Sequence, residues 1–230
     1  MRVSIHQPQY LPWMPYFLKI KNCDLFIILD NVNFQKNGLQ NRNKIKTSNG
    51  YHWLTVPVYQ SNNQIINRVL VDNKVNWRKK HLQSIIQNYG KAKYFENYID
   101  TFKIIFEKNW SKLVDLNIAL INQILKILMI KTRIIKSSDI KVNGKATDLL
   151  INLCKEVGAT EYISGVGAKD YLLKQKFINN NINLKFNPPL FPLKYKQIHE
   201  KINFLNDLSA IDMIMNCGSE WENYFSYEKK

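Results

Sequence analysis

The chain has 230 residues, 45% of them hydrophobic and 12% aromatic. That is enough apolar side chain for a substantial core, and it excludes a disordered, collagenous or disulfide-scaffold protein. Lys and Arg number 33 against 18 Asp and Glu, a formal charge of +15, which favours anionic partners such as nucleic acid, acidic membrane or phosphorylated molecules.

Residues 2–6 (RVSIH) read as a short apolar strand, stopped by Pro8. Pro12 and Pro15 follow, then a helix from Tyr16. Leu25 to Leu29 (LFIIL) is a continuous apolar run ending at Asp30, the pattern of a strand buried on both faces of a parallel sheet. The opening is thus one βαβ-like unit with a polar residue at each strand end, where open α/β sheets gather ligands. Asn31 to Gly50 reads as a polar loop, followed by strands over Tyr51–Tyr59 and Gln64–Val71. Trp77 to Leu128 predicts three helices, broken near Tyr89–Gly90 and Asn109–Ser111. A further helix spans Thr147–Val157, with Thr147 and Asp148 as capping residues and Gly158 as its stop. Glu161 to Ser164 is a strand, followed by Gly165-Val166-Gly167 and a helix from Ala168. Ile182 to Phe186 is another strand, Pro188, Pro189 and Pro192 make an extended loop, and a last helix runs from Ser209 to Asn216 before Gly218. The expected fold class is α/β: an open, mostly parallel sheet with helices on both faces and a helical insertion in mid-chain. One domain over 1–230 is expected, its helical segment at about 77–130, with 131–146 the best candidate for a boundary.

Cys23, Cys154 and Cys217 are far apart, odd in number and outside any CxxC pattern, so reduced thiols and a cytoplasmic location are expected. The opening MRVSIHQPQYLPW lacks the apolar core of a signal peptide. The most hydrophobic run, Leu113 to Ile130, carries Asp115, Asn117, Asn122, Gln123 and Lys126. It reads as a buried core helix, with no transmembrane segment expected.

Three constellations carry chemistry. His6 ends the first strand ahead of a Pro-rich loop, where an imidazole can move a proton or bond an anion. A capping or packing role is the alternative. Asp30, at the next strand end, could orient His6 or a substrate amine. Beyond it, Lys36, Arg42, Lys44 and Lys46 alternate with Asn33, Asn41 and Asn43; the alternative here is a solvated loop. Arg42 is one of only five arginines in a Lys-biased chain, and its planar fork suits phosphate. Ser164-Gly165-Val166-Gly167-Ala168 stands at a strand-to-helix junction where backbone N–H groups can approach an anion. It is neither a Walker loop nor a complete GxGxxG, since Asp occupies position 170. No HExxH, paired CxxC or His/Asp cluster implies a metal. His52 and His81 read as structural or surface residues, and Cys217 as a small buried one.

The segments HQPQYLPW, YFLKI and DLFIILDNVNFQKNGLQNRNKIKTSNGYHWLTVPV resemble the opening of the WbqC-like family. ATEYISGVGAKDYL, PLKYKQ and LSAIDMIMNCG extend the resemblance over nearly the whole chain. Two departures are Pro15 within Trp13–Phe17, where the family has WxGYF, and Asn33 where it has the Gln of VQF. The resemblance implies a role in surface-polysaccharide and O-antigen pathways, attaching an acyl or aminoacyl group such as glycine to an amino sugar. The motif residues it carries over are His6, Gln7, Gln9, Tyr10, Asp30, Lys36, Gln40, Asn41, Arg42, Lys44, Ser164, Gly165, Gly167 and Asp212. No catalytic assignment comes with them.

The leading expectation is therefore an acyl- or aminoacyltransferase acting on a nucleotide-linked amino sugar or another phosphorylated small molecule. His6 and Asp30 would be catalytic. Substrate would be bound by Gln7, Gln9, Tyr10, Lys36, Asn41, Arg42, Lys44, Ser164, Gly165 and Gly167. No cofactor is identified; the donor is open, an aminoacyl-tRNA among the candidates. A first-strand His with a late Gly/Ser turn also loosely resembles HIGH-type nucleotidyltransferases and adenylate-forming enzymes, although Gln9 replaces the second His. The third alternative is a basic protein binding tRNA or other nucleic acid through lysines and stacking aromatics. Most of the +15 reads as lysine bias; the cluster around Arg42 is its informative part.

Overall fold

The structure, a computed structural model, describes residues 1–59, 64–170 and 172–225. In chain order its elements are β1 (Arg2–His6), α1 (Met14–Lys21), β2 (Leu25–Ile28), β3 (Arg42–Thr47), β4 (Gly50–Thr55), β5 (Val58–Tyr59) and β6 (Leu70–Val71). Then come α2 (Trp77–Tyr89), α3 (Phe95–Glu107), α4 (Leu113–Ile127), β7 (Arg133–Lys136), α5 (Ala146–Glu156), β8 (Glu161–Gly165), α6 (Lys174–Asn179), β9 (Asn183–Asn187) and α7 (Ala210–Cys217). They fall into two compact units: Met1–Pro8, Pro15–Val32 and Lys131–Leu190 in the first, and Gln9–Met14, Asn33–Ile130 and Phe191–Lys230 in the second.

The first unit is an α/β layer structure around a five-stranded sheet of order β7-β2-β1-β8-β9, every pairing parallel. The four residues of β2 are all buried, which is why that segment is apolar without alternation. Val3, Ile5, Leu25 and Ile27 face one side, packing with Leu149, Leu153 and Cys154 of α5 and Phe177 of α6. On the other side Tyr16 of α1 meets Phe26 edge to face, ring centroids 5.4 Å apart. Helices thus cover both faces. Pro15 stands in the first turn of α1, where its missing N–H costs nothing, so the helix starts there without the family's glycine.

In the second unit α2, α3 and α4 pack side by side, with α3 also against α7 and β3 against both α2 and α7. Phe95, Ile99, Phe102 and Phe106 form the buried stripe of α3, the spacing of one helix face. The apolar run at Leu113 is α4, whose Leu113, Leu116, Leu120, Ile121 and Ile124 are buried. No helix of the described residues is long and apolar enough to cross a membrane. Gly218, at φ +55, ends α7 as expected; a Cβ there would lie 2.5 Å from the Tyr94 ring.

Several expectations are corrected. The stretch Asn31 to Gly50 is not all loop: β3 pairs antiparallel with β4 from Arg42↔Thr55 to Thr47↔Gly50, burying Asn43, Ile45 and Lys46. The strand expected over Tyr51–Tyr59 divides before Pro57, which has no N–H for a ladder. Gln64–Val71 is not one strand: it holds a 3₁₀ turn, Ile66–Arg68, before the two-residue β6. The RIIK strand β7 was not foreseen. At the start of α5 no side chain caps the helix; Asp148 instead pairs with Lys176 at 2.7 Å. The helix expected from Ala168 is one 3₁₀ turn, Val166–Ala168, and α6 begins only at Lys174; Tyr171, within that expected helix, lies outside the described residues.

Lys46 is 1% exposed and Asp212 0%, so each charge needs internal partners. The Lys46 ammonium donates to Gln197 Oε1 at 3.0 Å and the Ile202 carbonyl at 3.2 Å. Asp212 accepts from the hydroxyls of Tyr89 (3.0 Å) and Tyr195 (2.6 Å) and from Gln197 Nε2 (2.8 Å). Burial pushes the Asp212 carboxyl up, opposed by these bonds and by Lys46. Burial pushes Lys46 down, opposed by Asp212. Replacing one partner leaves a buried charge uncompensated, so Asp212→Asn should cost about 3 kcal/mol in urea unfolding. The double change Lys46→Met with Asp212→Asn should cost less than the sum of the single ones, as a double-mutant cycle would read.

Candidate functional site

The strands of the sheet, ranked in chain order, run 3-2-1-4-5 across it. The chain leaves β1 toward β2 and β7, then returns to β1's other side for β8 and β9. The strand order therefore reverses between β1 and β8, and the crevice outside the carboxyl ends at such a point is where open α/β sheets bind ligands. His6 ends β1 and Gly165 ends β8. The two strands pair in parallel from Arg2↔Glu161 to Ser4↔Ile163, and the buried Ser4 hydroxyl donates to the Ile163 carbonyl at 2.6 Å. His6-Gln7-Pro8 and Ser164-Gly165-Val166-Gly167 therefore leave the sheet from neighbouring strands at the same edge.

His6 is half-buried, with its ring edge-on to Tyr16 at 5.2 Å between centroids. Its Nδ1 lies 3.0 Å from the Gln7 carbonyl. A carbonyl only accepts, so Nδ1 carries the proton and Nε2 keeps its lone pair. Burial, assisted by the positive charge of Lys19, lowers the His6 pKa to about 4, so the ring is neutral at pH 7. Lys19 of α1 donates to the Ile5 carbonyl at 3.0 Å, and burial lowers its own pKa to about 8. The Tyr16 hydroxyl donates to the Gln7 carbonyl at 3.3 Å.

Asp30 lies just past the neighbouring strand β2 and is 1% exposed. Its carboxylate accepts from the hydroxyls of Ser137 (2.9 Å) and Ser138 (2.7 Å) and from the Ser138 N–H (2.9 Å). Its own N–H donates to Ser137 Oγ at 3.1 Å. No hydrogen bond joins it to His6 among the described residues. It ties the ends of β2 and β7 together.

Ser164 is buried, its hydroxyl 3.4 Å from the Gly165 carbonyl. Gly165 has φ −74, which any residue adopts, and a Cβ added at Gly165 or Gly167 would meet nothing within 4 Å. Neither backbone strain nor packing requires glycine at these positions; what glycine provides is room. Without a helix at Ala168, the expected contribution of a helix N-terminus to anion binding is absent.

The other residues singled out from the sequence belong to the second unit. Gln9 is buried and its Oε1 has no hydrogen-bond partner. Tyr10 is fully buried, with its hydroxyl 2.8 Å from His81 Nδ1. Asn41, also buried, donates to the Val56 carbonyl at 2.9 Å. Arg42 lies 4.5 Å over the Trp53 ring and donates from Nη2 to the Asn37 carbonyl at 2.5 Å. Lys44 is ion-paired with Asp207 and 4.9 Å over the Tyr51 ring. Lys36 is exposed. Lys19, Ser137 and Ser138 were missed. An i, i+3 spacing from Tyr16 to Lys19 was the available signal for the first, and recognising RIIK as a strand would have found the serines at its end.

All three cysteines are buried and unpaired, and burial pushes each thiol up to about 12, so none is a thiolate at neutral pH. No group of three His, Cys, Asp or Glu among the described residues could hold a metal ion.

Burial also lowers His81 to about 4. Between pH 6.5 and 4 the unfolded chain protonates both histidines and the folded one does not, so stability falls as pH falls. The slope is up to about 1.4 kcal/mol per pH unit for each histidine. Urea unfolding from pH 7.5 to 4.5 should show it, and His6→Gln or His81→Gln should each flatten it; an unchanged slope in both variants contradicts the buried neutral state.

Compared with known proteins, the chain is 35% identical over 229 residues to the uncharacterized protein Rv1507c of Mycobacterium tuberculosis (strain ATCC 25618 / H37Rv), covering 98% of each chain. No solved structure matches it. The WbqC-like protein family matches residues 7–224, a span that takes in most of both units. The chain belongs to the WbqC-like protein family.

Proposed function

We propose that this protein is a transferase that binds a nucleotide-linked amino sugar at the carboxyl edge of β1 and β8 and attaches an acyl or aminoacyl group to the sugar amine. The observation that carries the reading is the reversal of strand order between a neutral histidine and an open glycine turn. Dinucleotide-binding sheets of this order take their ligand at that point. The space beside Gly165 and Gly167 lets a phosphate or the developing oxyanion approach backbone N–H groups closely. His6, with the Nε2 lone pair available, takes the proton that the attacking amine loses as it forms the new C–N bond, and passes it to the donor's leaving group as the bond from that group to the acyl carbon breaks. Lys19 supplies positive charge beside it. Asp30 acts on this site through the Ser137-Ser138 turn, as a positioning residue. The donor is an activated acyl group; an aminoacyl-tRNA fits the basic composition.

The strand order also favours a second reading, a nucleotidyltransferase or adenylate-forming enzyme, because nucleotides occupy the same crevice in such sheets. A thermal-shift series separates the two. The first predicts stabilisation by a UDP-, dTDP-, GDP- or CMP-linked amino sugar, the second by ATP or CTP with magnesium. His6→Ala should lower transfer by about 10²- to 10⁴-fold with the melting temperature retained. Gly165→Ala and Gly167→Ala should fold normally, since a Cβ meets open space, yet lose nucleotide-sugar binding. Full activity in His6→Ala removes the base assignment, and full binding in both glycine variants removes the crevice.

A further inference from the structure

The second unit contains a cleft of ≈ 710 Å³, a size that takes a small organic ligand. Its walls are the turn between α2 and α3, the segment 196–201, and the end of α7 with the 3₁₀ turn after it. Four lysines and two glutamates line it. Two of the lysines are neutralised in place: Lys93 pairs with Glu220 at 3.2 Å and Lys196 with Glu200 at 3.0 Å. Glu220 is further held by the Tyr94 hydroxyl at 2.5 Å. Lys91 and Lys201 remain, both exposed and with no ion pair among the described residues.

His199 lies between these features and is unusual in two independent ways. Its backbone is left-handed, φ 61, a conformation that a non-glycine residue seldom holds outside turns and functional sites. Its Nε2 is buried with no hydrogen-bond partner, although a buried polar atom is nearly always satisfied. The segment that carries it is pinned on both sides of the turn. Gln197 donates to Asp212 at 2.8 Å and to the Leu205 carbonyl at 2.7 Å. The Ile198 N–H donates to Asn216 Oδ1 at 3.0 Å, and the Ile202 N–H to the His199 carbonyl at 2.9 Å. The imidazole is thus placed by a segment pinned through Gln197, Ile198 and Ile202, while its own Nε2 has no partner.

We propose that this cleft binds a small organic phosphate, with Lys91 and Lys201 meeting the charge of the phosphate and the His199 ring, whose Nε2 is sealed from solvent in the free protein, turning to donate to one of its oxygens. Two unpaired ammonium groups match a dianion better than a carboxylate, and the imidazole supplies the directional bond that fixes its orientation. The apolar part of the ligand would lie along Ile198 and Ala92, which also line the cleft. This site is built wholly from the second unit and does not depend on the reading of the β1–β8 edge.

The test is isothermal titration of the whole chain with pyrophosphate and with adenosine monophosphate at low salt, using wild type, the double variant Lys91→Glu with Lys201→Glu, and His199→Asn. Asn tolerates the left-handed backbone, so the last variant removes the ring without refolding the turn; melting temperatures confirm that each variant is folded. The expected result is saturable binding, at least tenfold weaker in the double variant and clearly weaker in His199→Asn. In a Gly165→Ala background, which removes phosphate binding at the β1–β8 edge, saturable binding should remain and should keep its dependence on Lys91 and Lys201. No binding of either probe overturns the proposal, as does equal binding in wild type and the double variant. Binding lost in Gly165→Ala but kept in the double variant also overturns it, by placing the phosphate at the β1–β8 edge instead.

Discussion

Strand β1 is paired in parallel on both of its edges, with β2 through Val3↔Leu25 to His6↔Ile28 and with β8 through Arg2↔Glu161 to Ser4↔Ile163. The first unit depends on this double pairing. A strand flanked on both edges uses its N–H and C=O groups in ladders, and parallel strands all present their carboxyl ends at one edge. One five-residue segment thereby sets the position of His6 relative to a glycine turn that lies some 160 residues later in the chain. The flanking apolar side chains hold the arrangement: Val3 and Ile5 against α5 and α6, and Phe26 against Tyr16. Burial of each such side chain contributes about 1.5–3 kcal/mol.

The demand that buried polar groups find partners organises the rest. Asp30 could not be sealed at the sheet edge without the hydroxyls of Ser137 and Ser138, and those bonds join the ends of β2 and β7. The same demand holds the second unit together around Lys46 and Asp212. There the partners come from α2 and from the segment between Tyr195 and Ile202. A side effect of this clamp is a stiff wall for the cleft that carries His199. Satisfying these two buried charges also positions residues that bond to neither of them.

Much of this was legible in the residues. RVSIH and LFII read as strands because their apolar density has no other use in so short a segment, and the helices at 77–89, 95–107 and 113–127 follow from apolar spacing and from breaks near Gly90 and Asn109. His6 and the Ser164–Gly167 turn stood out as polar and flexible residues at strand ends. β3 was hidden because its buried positions include Asn43 and Lys46, which look like loop residues until their partners are known. Lys46 bonds to Gln197 at a separation of 151 residues, and no local pattern reports such a contact. The serine partners of Asp30 were hidden for the same reason, since Ser137 lies 107 residues away. The turn after Gly165 looked like a helix start because local propensity cannot tell a single 3₁₀ turn from the first turn of a longer helix.

The sequence by itself determined the α/β class, the apolar strands and helices, and the residues at the strand ends, because these rest on short-range periodicity and on chain breakers. Tertiary structure alone decided the strand order, and with it which strand ends share a crevice. It also decided which polar residues are sealed inside and which cations stay unpaired. Those outcomes depend on pairings between distant segments, whose free energies are set by burial and hydrogen-bond satisfaction in the assembled fold.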